Sequence, residues 1–324
     1  MKAFYGNSEN SEFGSRAALT YPADMRRLHA FTPSVPLATA LIALTAILFG
    51  LVPLFARALQ AEGVGSATIA LSRYAFTMLV VWPFLPLARE TRREGLLLGA
   101  AGLFMGVGWI AWLEAVKVAP VAAAGVVYMT YPLFAVLFGW ALLGARPGPR
   151  SVAAASLAVA AAALLLDPAA AAETRLSALL WALPAPITFG FIVVALSAMT
   201  PSLRPLERMA SGMGGAVLGL APLALGVEGA ALAAADPAVW GLFLGLGGAT
   251  ALLPQFLFTV AAPQVGPARA ASAGALELPT MIAVGWLAFG EAIGPRETLA
   301  ALLVISGVFL APAIRPAAAR PTAA

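Results

Sequence analysis

The chain has 324 residues, of which 61% are hydrophobic and only 10% are charged, and its mean hydropathy is +0.91. Soluble domains carry about 25% charged residues, so this composition excludes a soluble enzyme and a nucleic-acid-binding domain and predicts an all-α integral membrane protein. The net charge of +4 comes from Lys and Arg residues scattered between apolar runs, a distribution that indicates membrane topology rather than a nucleic-acid partner.

Residues 1–35 form a polar N-terminal tail. The tail lacks an apolar run near its start, so a cleaved signal peptide is not expected. Within it, Ser11-Glu-Phe-Gly-Ser-Arg16 resembles tag or linker residues, and the tail is assigned no function.

Ten apolar stretches follow, and most approach the roughly 20 residues that cross a bilayer as a helix. The predicted spans are Pro36–Leu59, Ser66–Leu87, Gly95–Val116, Pro120–Leu143, Ser151–Leu166, Leu176–Ala198, Met209–Val227, Val239–Ala262, Val265–Phe289 and Leu299–Ala313. The links between the spans are short, so no room is left for a soluble domain.

The Lys and Arg residues in the links predict the orientation, because cytoplasmic links carry the excess of positive charge. With a cytoplasmic N-terminus, the inner segments hold fourteen Lys and Arg residues and the outer segments hold four. Both termini, including the tail 314–324, are therefore predicted on the cytoplasmic side of a bacterial-type inner membrane.

An internal repeat is indicated by paired prolines twelve positions apart. The fourth span contains Pro120 and Pro132, and the ninth span contains Pro267 and Pro279, displaced by 147 residues. Each pair precedes a Gly-Trp dipeptide, and the first and sixth spans both contain Phe-Gly. The chain is thus interpreted as two similar halves.

The halves cover residues 36–166 and 176–313, with five predicted spans each. Because five is odd, the halves must lie inverted relative to each other in the membrane. Two inverted five-helix repeats are typical of secondary transporters that bind substrate near the bilayer midplane.

The chain resembles the drug/metabolite transporter superfamily, in particular its EamA-type exporters, over residues 36–313. The residues that carry the resemblance are the two Phe-Gly dipeptides, Arg73, Tyr131-Pro132, Leu278-Pro279 and Gly290-Glu291. Within the superfamily the chain most resembles YddG-type aromatic amino acid exporters, because of Tyr128-Met-Thr-Tyr-Pro132. The resemblance implies efflux of amino acids or related metabolites, with aromatic ones first.

Four prolines are predicted helix breaks: Pro53, Pro132, Pro254 and Pro279. A proline inside a span removes a backbone hydrogen bond and frees a carbonyl, which is tolerated beside protein or a wet cavity. The alternative at each position is a kink that serves packing only. The repeated pair Pro132 and Pro279 is the better candidate for a place beside the substrate path.

Three ionisable residues are candidates for coupling or gating, because charged groups at membrane depth are unfavourable unless they serve a function. They are Glu277 in the ninth span, Arg73 in the second and Glu114 near the outer end of the third. Glu277 has three open interpretations: a lone carboxylate that carries a coupled proton, an ion pair with Arg73, or a cap on a proline-freed backbone group. Glu114 is either a gate or an interfacial residue that reaches the headgroups.

Ring-bearing side chains in the spans predict a cavity for flat or amphipathic organic molecules. The candidate substrate-binding residues are Phe49, Trp109, Tyr128, Tyr131, Phe189, Gln255 and Phe256. The displacement of 147 residues places Trp109 opposite Phe256. The alternative is that these rings pack against neighbouring helices or anchor at the interfaces.

The leading prediction is a secondary-active exporter of small metabolites that works by alternating access. An uncoupled facilitator, or an exporter of other metabolites or drug-like compounds, is the alternative. An intramembrane enzyme is not expected, because the chain has no cysteine and its single histidine, His29, lies in the N-terminal tail. For the same reason no metal and no cofactor are expected, and the partners are a small-molecule substrate and the lipid bilayer. The sequence leaves the oligomeric state open and is compatible with a monomer.

Overall fold

The computed structural model describes residues 32–118, 127–144, 146–164, 181–227, 237–290 and 292–312. Within these residues the secondary structure is helical, without β-strands.

Twelve α-helices are present in the described part of the chain. They are α1 (Val35–Gly50), α2 (Val52–Ala61), α3 (Ser66–Val81), α4 (Arg89–Val118), α5 (Tyr131–Leu143), α6 (Pro149–Leu164), α7 (Pro184–Val194), α8 (Pro205–Val227), α9 (Pro237–Gly247), α10 (Leu253–Gly274), α11 (Glu277–Phe289) and α12 (Pro295–Leu310). A 3₁₀ turn, Trp82–Phe84, follows α3, and two π-helical segments, Ala195–Met199 and Gly248–Leu252, follow α7 and α9.

Five of the described helical stretches are long and apolar enough to cross a membrane. They are Val35–Ala61, Ser66–Phe84, Arg89–Trp112, Pro205–Gly226 and Val239–Phe289. Shorter apolar stretches are Tyr131–Leu143, Pro149–Leu164 and Pro184–Met199. Large apolar side chains point outward from the bundle; Leu79, Leu87 and Phe309 are 75%, 82% and 83% exposed, as lipid contact requires.

The stretch Val239–Phe289 is broken at Gly266. Its 51 residues would form a straight helix about 77 Å long, more than twice the roughly 30 Å of hydrocarbon. Gly266 has φ 77° and ψ 168°, a backbone conformation that glycine adopts without the clash a Cβ would cause. Pro263 and Pro267 flank it. The break lies at the boundary predicted between the eighth and ninth spans.

Helices in the two halves of the chain correspond in length at a displacement of 146 residues. Helices α5 and α11 both have 13 residues and both end before a glycine with positive φ, 65° at Gly144 and 67° at Gly290. Helices α6 and α12 both have 16 residues. The displacement of 147 taken from the prolines is therefore one residue too long. Pro132 is the second residue of α5 and Pro279 the third of α11, and a helix tolerates proline anywhere in its first turn.

The main packing contacts join one half of the chain to the other. Helix α4 packs along α8, α3 along α8 and α9, and α1 along α10 and α11. Helix α7 packs against α4 and α5, and α6 packs along α12.

Helices α4 and α8 approach until their backbones touch. A Cβ on Gly219 would lie 2.5 Å from the carbonyl oxygen of Leu103, and one on Gly215 would overlap the carbonyl oxygen of Gly99. Membrane helices associate through such small residues because lipid provides no hydrophobic drive between them.

We predict that Gly215→Ala lowers the thermal unfolding midpoint of the purified protein in detergent, because the added methyl group forces α8 away from α4. Overpacking of this kind is worth about 1–3 kcal/mol. The matched control is Gly226→Ala in the same helix, where nothing lies within 4 Å of the added atom. Equal midpoints for the two variants would contradict the close contact.

Candidate functional site

Two Phe-Gly dipeptides bring α1 against the start of α11 and α7 against the start of α5. A Cβ on Gly50 would lie 3.1 Å from the carbonyl oxygen of Glu277, and one on Gly190 would lie 3.0 Å from the carbonyl oxygen of Tyr131. Any larger residue would separate these helices. The two glycines therefore fix the positions of the first residues of α5 and α11.

Two adjoining cavities lie at these contacts and share Phe49, Phe189 and Glu277. The larger cavity has a volume of about 30 Å³, and its other lining residues are Arg73, Tyr74, Met105, Trp109, Tyr128, Met213, Ala251 and Gln255. The smaller has a volume of about 10 Å³, and its other lining residues are Thr45, Tyr131, Val193, Phe258, Ala270 and Gly274.

Most of the lining residues form pairs at constant sequence separations. Phe49 and Phe189, and Arg73 and Met213, are 140 positions apart, whereas Met105 and Ala251, Trp109 and Gln255, Tyr128 and Gly274, and Tyr131 and Glu277 are 146 positions apart. Equivalent positions of the two halves thus line the same space with different chemistry. The first half contributes most of the rings and the arginine, and the second contributes the amide and the carboxylate.

The rings of the larger cavity contact one another. The ring centroids of Trp109 and Tyr128 are 5.5 Å apart, those of Tyr128 and Phe189 5.7 Å, and those of Tyr131 and Phe189 4.8 Å. A flat ligand between two parallel rings needs a separation of about 7 Å, twice the carbon–carbon contact distance. The cavity is therefore closed in this conformation, and a flat ligand enters only if these rings separate.

The hydroxyl of Tyr131 donates a hydrogen bond to the carbonyl oxygen of Ala271 at 3.1 Å. Tyr131 is 1% exposed, so this bond is fully buried. It joins α5 to the second part of α10, beyond the break at Gly266. Buried tyrosine hydroxyls usually find such a partner, and here the bond links the two halves beside the smaller cavity.

Arg73 is a buried cation with only part of its hydrogen-bonding capacity used. Its side chain is 8% exposed, and Nη2 donates to the carbonyl oxygen of Thr250 at 2.8 Å. Within the described residues its Nε is buried without a hydrogen-bond partner. The guanidinium carbon lies 5.8 Å from the ring centroid of Phe49 and 5.5 Å from that of Tyr74, which are cation–π distances.

Glu277 is the first residue of α11 and lines both cavities, with 7% exposure. In the part of the chain that the structure describes, its carboxylate makes neither an ion pair with Arg73 nor a hydrogen bond to another group. All three interpretations of Glu277 therefore stay predictions. Over the same residues, no cluster of three or more His, Cys, Asp or Glu side chains could hold a metal ion.

The cavities contain most but not all of the predicted site residues. Phe256 lines neither cavity, and its ring packs partly buried against the hydrophobic core. Successive residues on a helix differ in direction by about 100°, so Phe256 points away because Gln255 faces the cavity. The equivalent of Trp109 is therefore Gln255 rather than Phe256. The side chain of Glu114 lies outside the described residues.

The four predicted helix breaks all lie in the first turn of a helix, and none lines a cavity. They are Pro53 in α2, Pro132 in α5, Pro254 in α10 and Pro279 in α11. Proline is tolerated in a first turn because the N–H it lacks has no partner within that helix. Pro53 and Pro254 follow directly on helical residues, at the boundary between α1 and α2 and after the π-helical segment Gly248–Leu252.

Sequence reasoning did not select Tyr74, Met213 and Thr45, which all line the cavities. Thr45 lies one helical turn before Phe49, so helical periodicity was a signal that could have found it. Met213 lies 140 positions after Arg73, the displacement that also relates the two Phe-Gly dipeptides. Nothing in the sequence indicated that Tyr74 would line a cavity, apart from its position next to Arg73.

A lipid-facing helical bundle with a ring-walled cavity between two corresponding halves is typical of membrane transporters. The model of the EamA-like transporter family matches residues 36–167 and again residues 176–311. The chain belongs to the EamA-like transporter family.

Known proteins also resemble the chain individually. The riboflavin transporter of Rhizobium johnstonii is 30% identical over 254 residues, which cover 74% of this chain and 79% of that protein. One known crystal structure matches with 18% sequence identity and a TM-score of 0.67. The match covers 86% of this chain and 96% of the chain in that structure, and it shows that the two share a fold. These relatives do not confirm the closer resemblance to YddG-type aromatic amino acid exporters.

Proposed function

We propose that the protein is a secondary-active transporter that moves a small, flat, ring-containing metabolite across the membrane by alternating access. The observation that carries this proposal is the closed cavity of aromatic side chains, Arg73 and Glu277 at the contact between the two halves. Membership in a transporter family supports it.

The proposed architecture is ten spans in two inverted five-helix repeats. The displacement of 146 residues between α5 and α11 and between α6 and α12 supports it, as does the double match of the family model. The excess of Lys and Arg in alternate links supports an inner-membrane location with both termini in the cytoplasm.

The two cavities and the residues between them support alternating access. Phe49, Phe189 and Glu277 line both spaces, so they form a partition between the larger and the smaller cavity. A substrate in the larger cavity passes this partition only when the two phenylalanines separate. Because these residues come from equivalent Phe-Gly dipeptides, the movement that opens one side is related to the movement that opens the other.

Riboflavin is the first substrate to test, because a 30% identical relative is a riboflavin transporter. Its flat ring system suits the wall formed by Trp109, Tyr128 and Phe189, and Gln255 offers an amide to its polar groups. The second candidate is an aromatic amino acid, favoured by the buried opposite charges of Arg73 and Glu277, which complement a zwitterion. Export is the proposed direction, on the resemblance to EamA-type exporters.

Glu277 is the proposed coupling residue. Its carboxylate is buried beside the substrate space and is not held in an ion pair or hydrogen bond within the described residues. Such a group can take up a proton in one access state and release it in the other. An uncoupled facilitator is the alternative, and it needs no titrating group.

The inverted topology predicts that equivalent links of the two halves lie on opposite sides of the membrane. The chain has no cysteine, so single cysteines can be placed by Glu62→Cys after the first span and Ser202→Cys after the sixth. We expect a membrane-impermeant maleimide to label the Glu62→Cys variant from outside intact cells and the Ser202→Cys variant only after lysis. Labelling of both from the same side would exclude the inversion.

We predict that proteoliposomes of the purified protein transport riboflavin or L-tryptophan, and not threonine. Trp109→Ala is expected to reduce this flux by about 3–10-fold, because a ring contact is worth about 0.5–1.5 kcal/mol. The control is Trp240→Ala, whose ring is 47% exposed on the bundle surface and should leave the flux unchanged. If neither ring compound is transported, the substrate proposal fails.

Glu277→Gln is predicted to abolish the stimulation of flux by a pH gradient, because an amide of the same shape cannot exchange a proton. Substrate counterflow without a gradient should persist in this variant. Glu62→Gln, at an exposed position, is the matched control. Full pH-gradient stimulation in the Glu277→Gln variant would rule out Glu277 as the coupling residue.

A further inference from the structure

We infer that the Arg73 guanidinium anchors a planar acceptor edge of the substrate, either a carboxylate or a ring carbonyl with the neighbouring acceptor nitrogen of a flavin. This inference rests on the proposed transport function and specifies which part of the substrate the cavity recognises. It also gives Arg73 a role in binding in place of pairing with Glu277.

One backbone carbonyl orients the guanidinium. The carbonyl oxygen of Thr250 accepts a hydrogen bond from Nη2 at 2.8 Å. Thr250 belongs to the π-helical segment Gly248–Leu252, in which backbone hydrogen bonds depart from the α-helical pattern, and its hydroxyl donates back to the carbonyl of Leu246. The segment thus presents one carbonyl to Arg73 and leaves the rest of the guanidinium edge available.

One donor of Arg73, Nε, has no partner among the described residues. A guanidinium carries five N–H donors in a planar fork, and Nε is buried. A buried donor without a partner is unfavourable, so Nε points to an acceptor that these residues do not supply. Arg73 lines the larger cavity, which is the space from which a ligand would reach the guanidinium.

Among the described residues no carboxylate forms an ion pair with the guanidinium, although Glu277 lines the same space. The ring centroids of Phe49 and Tyr74 lie 5.8 Å and 5.5 Å from the guanidinium carbon, and the carbonyl oxygen of Thr250 accepts from Nη2. A planar pair of adjacent acceptors matches the guanidinium fork in shape better than these groups do.

The other walls define the rest of the ligand. From an acceptor group placed on Arg73, the cavity continues along the rings of Trp109, Tyr128 and Phe189. The site therefore takes a flat ring that carries an acceptor edge. L-Tryptophan presents a carboxylate and riboflavin presents a ring carbonyl beside an acceptor ring nitrogen, so both contain a pair of adjacent acceptors.

The first experiment varies the ligand and leaves the protein unchanged. Binding to the purified full-length chain is measured by calorimetry. L-Tryptophan is compared with tryptamine, which lacks the carboxylate. Riboflavin is compared with its 2-thio and 4-thio analogues, in which sulfur is a weaker acceptor. Loss of the acceptor is expected to weaken binding at least about tenfold, the effect of losing a hydrogen bond to a charged group. The pair that shows binding identifies the source of the acceptor.

The second experiment varies the anchor. Arg73→Lys keeps the positive charge but removes the planar fork and Nε, and it is expected to weaken binding of the acceptor-bearing ligand at least about tenfold without weakening tryptamine further. Arg146→Lys, at an exposed position away from the cavities, is the matched control. If the Arg73→Lys variant does not fold, the ligand series on the wild-type chain decides the question.

Three results would overturn the inference. The first is equal affinity for tryptophan and tryptamine, found together with equal affinity for riboflavin and its thio analogues. The second is wild-type affinity in a folded Arg73→Lys variant. The third is that neither tryptophan nor riboflavin binds to the wild-type chain. The proposed transport function is judged separately, by flux of ring compounds into wild-type proteoliposomes.

Discussion

Backbone contact at two glycines determines the geometry of the cavity. Gly50 and Gly190 let α1 and α7 approach the carbonyl oxygens at the starts of α11 and α5. The residue before each glycine is a phenylalanine that lines both cavities, and the first residues of α11 and α5 are Glu277 and Tyr131. Moving either contact by the width of a methyl group would displace a ring and a polar side chain together.

Three arginines of the described residues bind backbone carbonyls where regular α-helix is interrupted, and of these Arg73 and Arg208 are buried and Arg269 is half-buried. Besides Arg73, Arg208 donates from Nε and Nη2 to the carbonyl of Thr200, at 3.0 Å and 2.8 Å, just after the π-helical segment Ala195–Met199. Arg269 donates in the same way to the carbonyl of Ala311, where α12 has ended. Irregular backbone in a membrane needs such partners, and among the three only Arg73 also lines a cavity.

The sequence predicted the helices and the chemical character of the site, because both depend on local composition. The positions of the spans follow from the length of the apolar stretches. Arg73 and Glu277 were identified as candidate site residues because charged residues in membrane spans are rare. The direction in which each side chain points from its helix was harder to predict. Prolines suggested a displacement of 147 residues, yet proline can move within a first turn, so Trp109 was assigned to Phe256 instead of Gln255. The distance that separates Arg73 from Glu277 depends on helix packing, which sequence depth alone does not give.

The π-helical segment Gly248–Leu252 lies directly before the cavity-facing turn of α10. A π-turn contains one residue more than an α-turn, so loss of one residue within the segment would restore regular α-helix and leave Gln255 facing the cavity. A change of the segment to α-helical hydrogen bonds at constant length would instead turn the following side chains by about 100°, the step of one residue. Gln255 would then point where Phe256 points and would leave the cavity wall. A rearrangement of backbone hydrogen bonds, without any substitution at the cavity, is thus a route by which the amide can be withdrawn from this space.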